Sequence, residues 1–222
     1  MKVILFGATG MVGQGVLREC LLDPRVEAVL SLGRSATGQQ HPKLRELVHR
    51  DLLDYAAIES DLSGYDACFF CLGVTSAGMS AADYRRITYD VTLAAANVLA
   101  RLNPQMTFVF VSGAGTGGKQ MWARVKADAE NALLKLPFKA AYMFRPAIIQ
   151  PLHGIRSRTA SYRVFYAITR PLLPLLKRAL PKYMTTTEQI GRAMIAVAMH
   201  GAPGAILETV EINRAGATRS SG

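Results

Sequence analysis

The 222-residue sequence is short of cysteine, histidine and tryptophan, and it has no long uninterrupted apolar run. The three cysteines, Cys20, Cys68 and Cys71, cannot make the disulfide framework of a small secreted fold. Cys68 and Cys71 form CFFC inside an apolar stretch. Residues three apart on a strand face opposite sides, so core packing is expected there rather than metal or redox chemistry. The four histidines, at 41, 49, 153 and 200, show no ligand spacing, and no metal site is expected. The opening MKVILFGATGMVG is cut by glycines well short of a signal-peptide apolar core. The late stretch VFYAITRPLLPLLKRALP carries Arg170, Lys177, Arg178 and three prolines, whereas a membrane span needs about 20 mostly apolar residues. These absences lead to the expectation of a cytoplasmic protein.

Acid is also scarce, but only locally. The net charge is +10, and residues 139–192 hold 10 Lys and Arg against one acid, Glu188, while residues 1–138 hold 14 against 13. The late segment lacks the aromatic interleaving and the helix-turn-helix pattern of a nucleic-acid partner, so none is expected. Residues 156–182 are basic and apolar together, which leaves two readings, a lid over a substrate pocket or attachment to a membrane surface. Pro171 and Pro174 interrupt any long amphipathic helix and favour the lid.

What is present is a regular alternation. Apolar runs at KVILF, VEAVLSL, LRELVHRD, DACFFCL, MTFVFVS and KAAYMFRP are separated by GMVGQGVLRECLL, SAADYRRITYDVTLAAANVLARL and KQMWARVKADAENALLKL, which read as helices. Asn103-Pro104 stops the second of these. TTTEQIGRAMIAVAMHG reads as a capped helix, AILETVEI as a last strand and NRAGATRSSG as a frayed tail. Continuous apolar strands alternating with helices predict a Rossmann-type doubly wound parallel sheet with helices on both faces. The chain is expected to be a single Rossmann-type domain over 1–222, with 147–186 as a basic, proline-rich lid or substrate-side insertion.

FGATGMVGQG places Gly7, Gly10 and Gly13 between the first strand and the first helix. Glycine lets the backbone turn tightly and approach a pyrophosphate, and the helix N-terminus offers free N–H groups and the positive end of its dipole. The βαβ context around the loop supports dinucleotide binding. After the second strand the sequence reads SLGRSATG, with Arg34 and Ser35 and no acid. A carboxylate there grips a ribose 2′-OH, whereas a guanidinium suits a 2′-phosphate. NADP is therefore expected over NAD.

With this loop, HRDLLD after the third strand, FFCLG after the fourth and a WxxxK helix, the chain resembles the short-chain dehydrogenase/reductase superfamily. It is most similar to the atypical branch of small NAD(P)H-binding proteins that includes the Tat-interacting-protein-like oxidoreductases. The resemblance implies cofactor contacts at Thr9, Met11 and Val12 in the glycine loop, and at Asp51 and Leu52 beside the adenine. It also implies contacts at Cys71, Leu72 and Gly73 behind the cofactor, at Lys126 on the nicotinamide ribose, and at Pro146 by the nicotinamide. The implied catalytic set is Ser112, Lys126 and the position of Trp122, where such reductases carry a proton-donating Tyr. An indole N–H is a donor that does not ionise usefully. Thr116 is a substitute for Ser112, and Tyr84, Tyr89, Tyr142 and Tyr162 are alternative donors. Two functions stay open: an NADP-dependent oxidoreductase acting on a small carbonyl or hydroxyl substrate, and a non-catalytic NADPH-binding sensor or regulator. Monomer and homodimer are both compatible with the sequence.

Overall fold

A computed structural model of the protein describes residues 1–155 and 182–217. Strands β1 (Lys2–Phe6), β2 (Ala28–Gly33), β3 (Leu44–Val48), β4 (Ala67–Phe70), β5 (Thr107–Val111) and β6 (Ala140–Arg145) form one sheet with β9 (Ile206–Glu208). Their order is β3-β2-β1-β4-β5-β6-β9, and every pair is parallel. Parallel neighbours need crossover connections. Helix α1 (Met11–Leu22) crosses from β1 to β2 and α4 (Met121–Leu133) from β5 to β6. Between β4 and β5 run α2 (Ala81–Arg85), a π turn (Arg86–Asp90) and α3 (Val91–Leu102). Helix α5 (Thr187–His200) precedes β9 and α6 (Thr209–Ala217) follows it. This is the doubly wound Rossmann-type sheet that the alternation predicts.

The strands are apolar on both sides because both sides are covered. Val3, Leu5, Phe69 and Val109 pack with Val16 and Leu17 of α1 and with Ile190 and Met194 of α5. Ile4, Phe6, Phe70 and Phe108 face the other way, onto Ala96 and Leu99 of α3 and Ala129 and Leu133 of α4. Cys20 lies in the first layer and Cys68 in the second. Cys71, just past β4, is a half-buried free thiol. The Ser80 hydroxyl caps α2 by accepting from the Asp83 N–H at 3.1 Å. Asn103, which ends α3, ties the preceding loop to it. Its side-chain oxygen accepts from Gly64 and Tyr65 at 2.8 and 3.1 Å, and its amide donates to the Leu62 carbonyl at 2.9 Å.

Two sequence expectations change. AILETVEI is not one strand: β9 ends at Glu208 and α6 begins at Thr209. Strand propensity yields there to tertiary packing, because helical spacing buries Ile212 in the first core layer. The expected frayed tail is helical as far as Ala217, held in part by Asn213, which donates to the Met184 carbonyl at 2.8 Å. In the expected insertion, the described flanks form a parallel pair, β7 (Ile148–Gln150) on β8 (Met184–Thr186). The rest of the expected lid, with Leu172, Leu173, Leu175 and Leu176 expected to be buried, lies outside the described residues.

Helices α1 and α5 meet through glycines. A Cβ on Gly15 would stand 2.5 Å from the Thr187 Cβ and 2.8 Å from its carbonyl oxygen, and one on Gly191 would stand 2.9 Å from the Glu19 Cβ. Alanine is the better helix former by about 1 kcal/mol, but overpacking a rigid contact costs about 1–3 kcal/mol. Gly15→Ala should therefore destabilise the protein, by up to about 2 kcal/mol in urea unfolding. A gain in stability would show that the two helices separate freely.

Candidate functional site

The chain leaves β1 toward β2 and β3 on one side, and returns as β4 on the other. A doubly wound sheet opens a crevice at that switch point. A cavity of about 920 Å³ lies there, walled by loops that follow β1, β2, β3, β4, β5 and β6 and by part of α4.

The first wall is the glycine turn. Gly7 has φ +77°, and a Cβ on it would come within 2.7 Å of the Cys71 carbonyl and the Leu72 nitrogen. The Gly7 carbonyl accepts from the Gly10 N–H at 2.9 Å. A Cβ on Gly13 would sit 2.0 Å from that same carbonyl oxygen. Thr9, Gly10, Met11 and Val12 border the cavity beside Gly7, while Gly13 is turned inward onto the Gly7 backbone. No side chain caps α1 at Gly10, so its first N–H groups remain available to an anion. The geometry fits a pyrophosphate cradle.

Arg34 and Ser35 border the cavity past β2, and Asp51 and Leu52 past β3. The Asp51 carboxylate is turned back onto its own loop, accepting from the Leu53 N–H at 3.0 Å. Leu52 is buried in the second core layer. Cys71, Leu72 and Gly73 form the floor past β4. At the far end stand Ser112, Lys126 and Pro146.

Lys126 is half-buried, and its ammonium donates to the Ser112 carbonyl. Burial lowers its pKa to about 8, and the carboxylate of Glu130, one turn along α4, opposes that shift. Glu130 is held by Arg145 at 3.0 and 2.5 Å. The Ser112 and Thr116 hydroxyls lie 2.7 Å apart, and Thr116 is also 2.8 Å from the Gly113 carbonyl. Thr116 has one proton. It goes to the Gly113 carbonyl, which can only accept, so the Ser112 hydroxyl donates to Thr116. The two hydroxyls singled out in the sequence thus act as a pair.

Trp122 is not among the residues that line the cavity. Its ring edge instead approaches Gly115, 3.4 Å from where a Cβ would be. No described tyrosine lines the cavity either. Tyr84 is buried, and burial raises its phenol pKa. Tyr89 lies 4.1 Å under the Arg85 guanidinium, and the Tyr142 hydroxyl accepts from the Ala202 N–H at 3.2 Å. Tyr162 lies outside the described residues. Sequence reasoning passed over Arg50, Asp83 and Arg86, all of which border the cavity. Arg50 directly precedes Asp51, and that adjacency was a usable signal. Arg86 sits on the π turn, which apolar periodicity does not reveal.

Residues 3–215 match the NAD dependent epimerase/dehydratase family. The chain belongs to that family. Among curated relatives, "Protein FMP52, mitochondrial" of Chaetomium globosum is 28% identical over 153 residues, covering 66% of this chain and 65% of that protein. A short-chain dehydrogenase/reductase from Saccharomyces cerevisiae superposes with a TM-score of 0.67 at 13% identity, covering 94% of this chain and 95% of the other. The Bordetella bronchiseptica enzyme WbmF, solved in complex with NAD+, gives 0.67 at 15% identity over 94% and 72% of the two chains. At such identities the likeness to solved structures is one of fold, and it agrees with the short-chain dehydrogenase/reductase resemblance. The expectation of a cytoplasmic protein does not stand, because the FMP52 relatives are named as mitochondrial proteins. Composition carries no organelle address, and the absences that prompted the expectation bear only on secretion and membrane spanning.

Lys126 yields a pH prediction. Its pKa is about 8 in the fold against 10.5 when exposed. Between those values the unfolded chain binds the extra proton, so unfolding becomes harder as pH rises through that window. Lys126→Met removes this linkage, and the stability difference between the two proteins should shift toward the unmodified one by up to about 3 kcal/mol across the window. Denaturant midpoints measured in parallel at each pH check it. A difference independent of pH would mean that the ammonium is solvated.

Proposed function

We propose that the cavity binds NADP(H) and that the protein is an oxidoreductase acting on a small carbonyl or hydroxyl substrate. The observation that carries this reading is the pairing of two features across one cleft. At one end is a glycine turn with an uncapped helix N-terminus, and at the other is a half-buried lysine beside a serine–threonine hydroxyl pair. Arg34 and Arg50 at the β2–β3 end, with no acid directly after β2, support NADP over NAD.

In this reading the Gly7–Val12 turn and the start of α1 receive the pyrophosphate, and Arg34 meets the 2′-phosphate. NADPH, when bound, supplies the hydride. Ser112 holds the substrate oxygen by turning its proton from Thr116 to that oxygen. Lys126, whose ammonium sits against the Ser112 carbonyl, gives up a proton at that oxygen; a lysine with a pKa near 8 is in the range where general acids work at neutral pH. The neutral amine then recovers its proton from water. A second reading, NADPH binding without turnover, draws on the absence of a tyrosine among the described cavity residues.

NADPH should bind more tightly than NADH by roughly 10- to 150-fold, the worth of one charge-assisted contact. Arg34→Ala should collapse the difference and leave NADH binding nearly unchanged. Equal affinities for the two cofactors in the unmodified protein, measured by calorimetry, would refute the preference.

Reduction of small aldehydes should decline as pH rises through about 8, following the loss of the Lys126 proton. Trp122→Phe should leave the rate within about twofold, since nothing that ionises is removed. A rate flat across that range would remove Lys126 as the donor. A large loss in Trp122→Phe would put the indole on the substrate.

A further inference from the structure

Most described arginines are committed to carboxylates. Arg18, Arg25, Arg45, Arg85, Arg101, Arg145 and Arg192 each form an ion pair. Arg34, Arg50, Arg86 and Arg124 make no ion pair or side-chain hydrogen bond with described residues, and all but Arg124 line the cavity. Among the described residues, the guanidinium groups without an ion pair therefore lie mainly where a ligand would enter.

These three are divided between two ends of the cleft. Arg34 follows β2 and Arg50 follows β3, on one side of β1. Arg86 belongs to the π turn that leads into α3, and that turn packs against α4, the helix of Lys126. Ser112, Lys126 and Pro146 lie on this same side, beyond β4. One anionic group at the β2–β3 end cannot account for a free guanidinium at the other.

The turn is also built to aim it. Arg85 is fixed on α4 by Asp128 at 2.9 Å and lies over the Tyr89 ring at 4.1 Å. Its neighbour Arg86 is thereby offered to the cavity. π turns of this kind are frequent at functional sites, because the additional residue redirects the side chains around it. Asp83 borders the cavity one turn earlier; its carboxylate accepts from the Ser80 hydroxyl at 2.6 Å and makes no ion pair with Arg86. Ile87 and Val91 next to it give the wall an apolar surface that suits a short carbon chain.

We infer that Arg86 recognises an anionic group on the substrate, so that the molecule reduced or oxidised here carries a carboxylate or a phosphate ester a short apolar stem away from its carbonyl or hydroxyl. This rests on the reading of the cleft as an NADP(H) site, which occupies Arg34 and leaves Arg86 to the substrate. A planar fork of donors is the group that holds either anion bidentately.

The test is a calorimetric titration of the protein saturated with NADP+, using butanoate, butyl phosphate and the neutral butanamide as probes. At least one of the two anions should bind about 10-fold or more tightly than the amide, and the tighter one identifies the headgroup. Arg86→Gln should abolish the difference, while Arg124→Gln, which removes the unpaired arginine outside the cavity, should preserve it. Equal binding of anions and amide, or a preference that survives Arg86→Gln, would overturn the inference. So would a loss of NADP+ affinity in Arg86→Gln as large as that in Arg34→Ala, since Arg86 would then serve the cofactor. Failure of the first titration, of NADP+ itself, would overturn the cofactor reading together with this one. Failure of anion discrimination alone leaves the cofactor reading standing.

Discussion

The site depends on a place where three backbones meet with no side chain between them. The end of β1, the first turn of α1 and the residue after β4 come together at Gly7. A Cβ on Gly7 would strike the Cys71–Leu72 peptide, and a Cβ on Gly13 would strike Gly7 itself. The close approach lets α1 start directly behind β1, with its unpaired N–H groups at the cavity edge rather than a residue-width away. It also sets where β4 releases the chain, and so where Cys71 to Gly73 form the floor. β1 is fully buried from Val3 to Phe6, so the turn is anchored in the core of the sheet. A ligand in the cleft is thus positioned from the core outward.

That dependence explains which parts were legible in the sequence. The glycine turn, the strand ends and the order of elements leave direct marks, because each requires a residue type: glycine where backbones touch, apolar runs where both faces are covered. The residues chosen past β2, β3, β4 and β5 do border one cavity, since a parallel sheet brings all its C-terminal strand ends to one edge. The failures follow the same logic. Thr209 begins a helix although its neighbours favour a strand, because what decides there is burial of Ile212 against distant helices. Arg86 escaped notice because a π turn shifts the helical register by one residue and leaves no composition signal. Glu19, an acid buried between α1 and α5 and held by Arg18 and Arg192, could not be recognised without knowing that those helices pack together.

The far end of the cavity is held by charge rather than by close backbone contact. Glu130 is nearly fully buried, and its partner Arg145 reaches it from the end of β6 with two hydrogen bonds. Arg145 also lies 3.4 Å from Glu208 of β9. One guanidinium therefore links α4 to the last two strands of the sheet and fixes the helix that carries Lys126. A buried carboxylate with a bidentate partner is costly to break, and this one lies one turn from an ammonium that burial would otherwise discharge further. The pair holds Lys126 in place and tempers its loss of charge.

Trp122 fits this arrangement as a packing residue. Gly115 and Gly117 both have positive φ, at +87° and +89°, so the loop after Ser112 follows a path that few side chains permit. Such a loop has little side-chain surface with which to hold itself. The indole edge lies against Gly115, and Ala123, the next residue on α4, accepts from the Gly117 N–H at 3.0 Å. The start of α4 thus braces the loop that brings Thr116 back onto Ser112. The ring thus supports this loop, while Lys126, one turn later on the same helix, reaches the cavity wall beside Ser112.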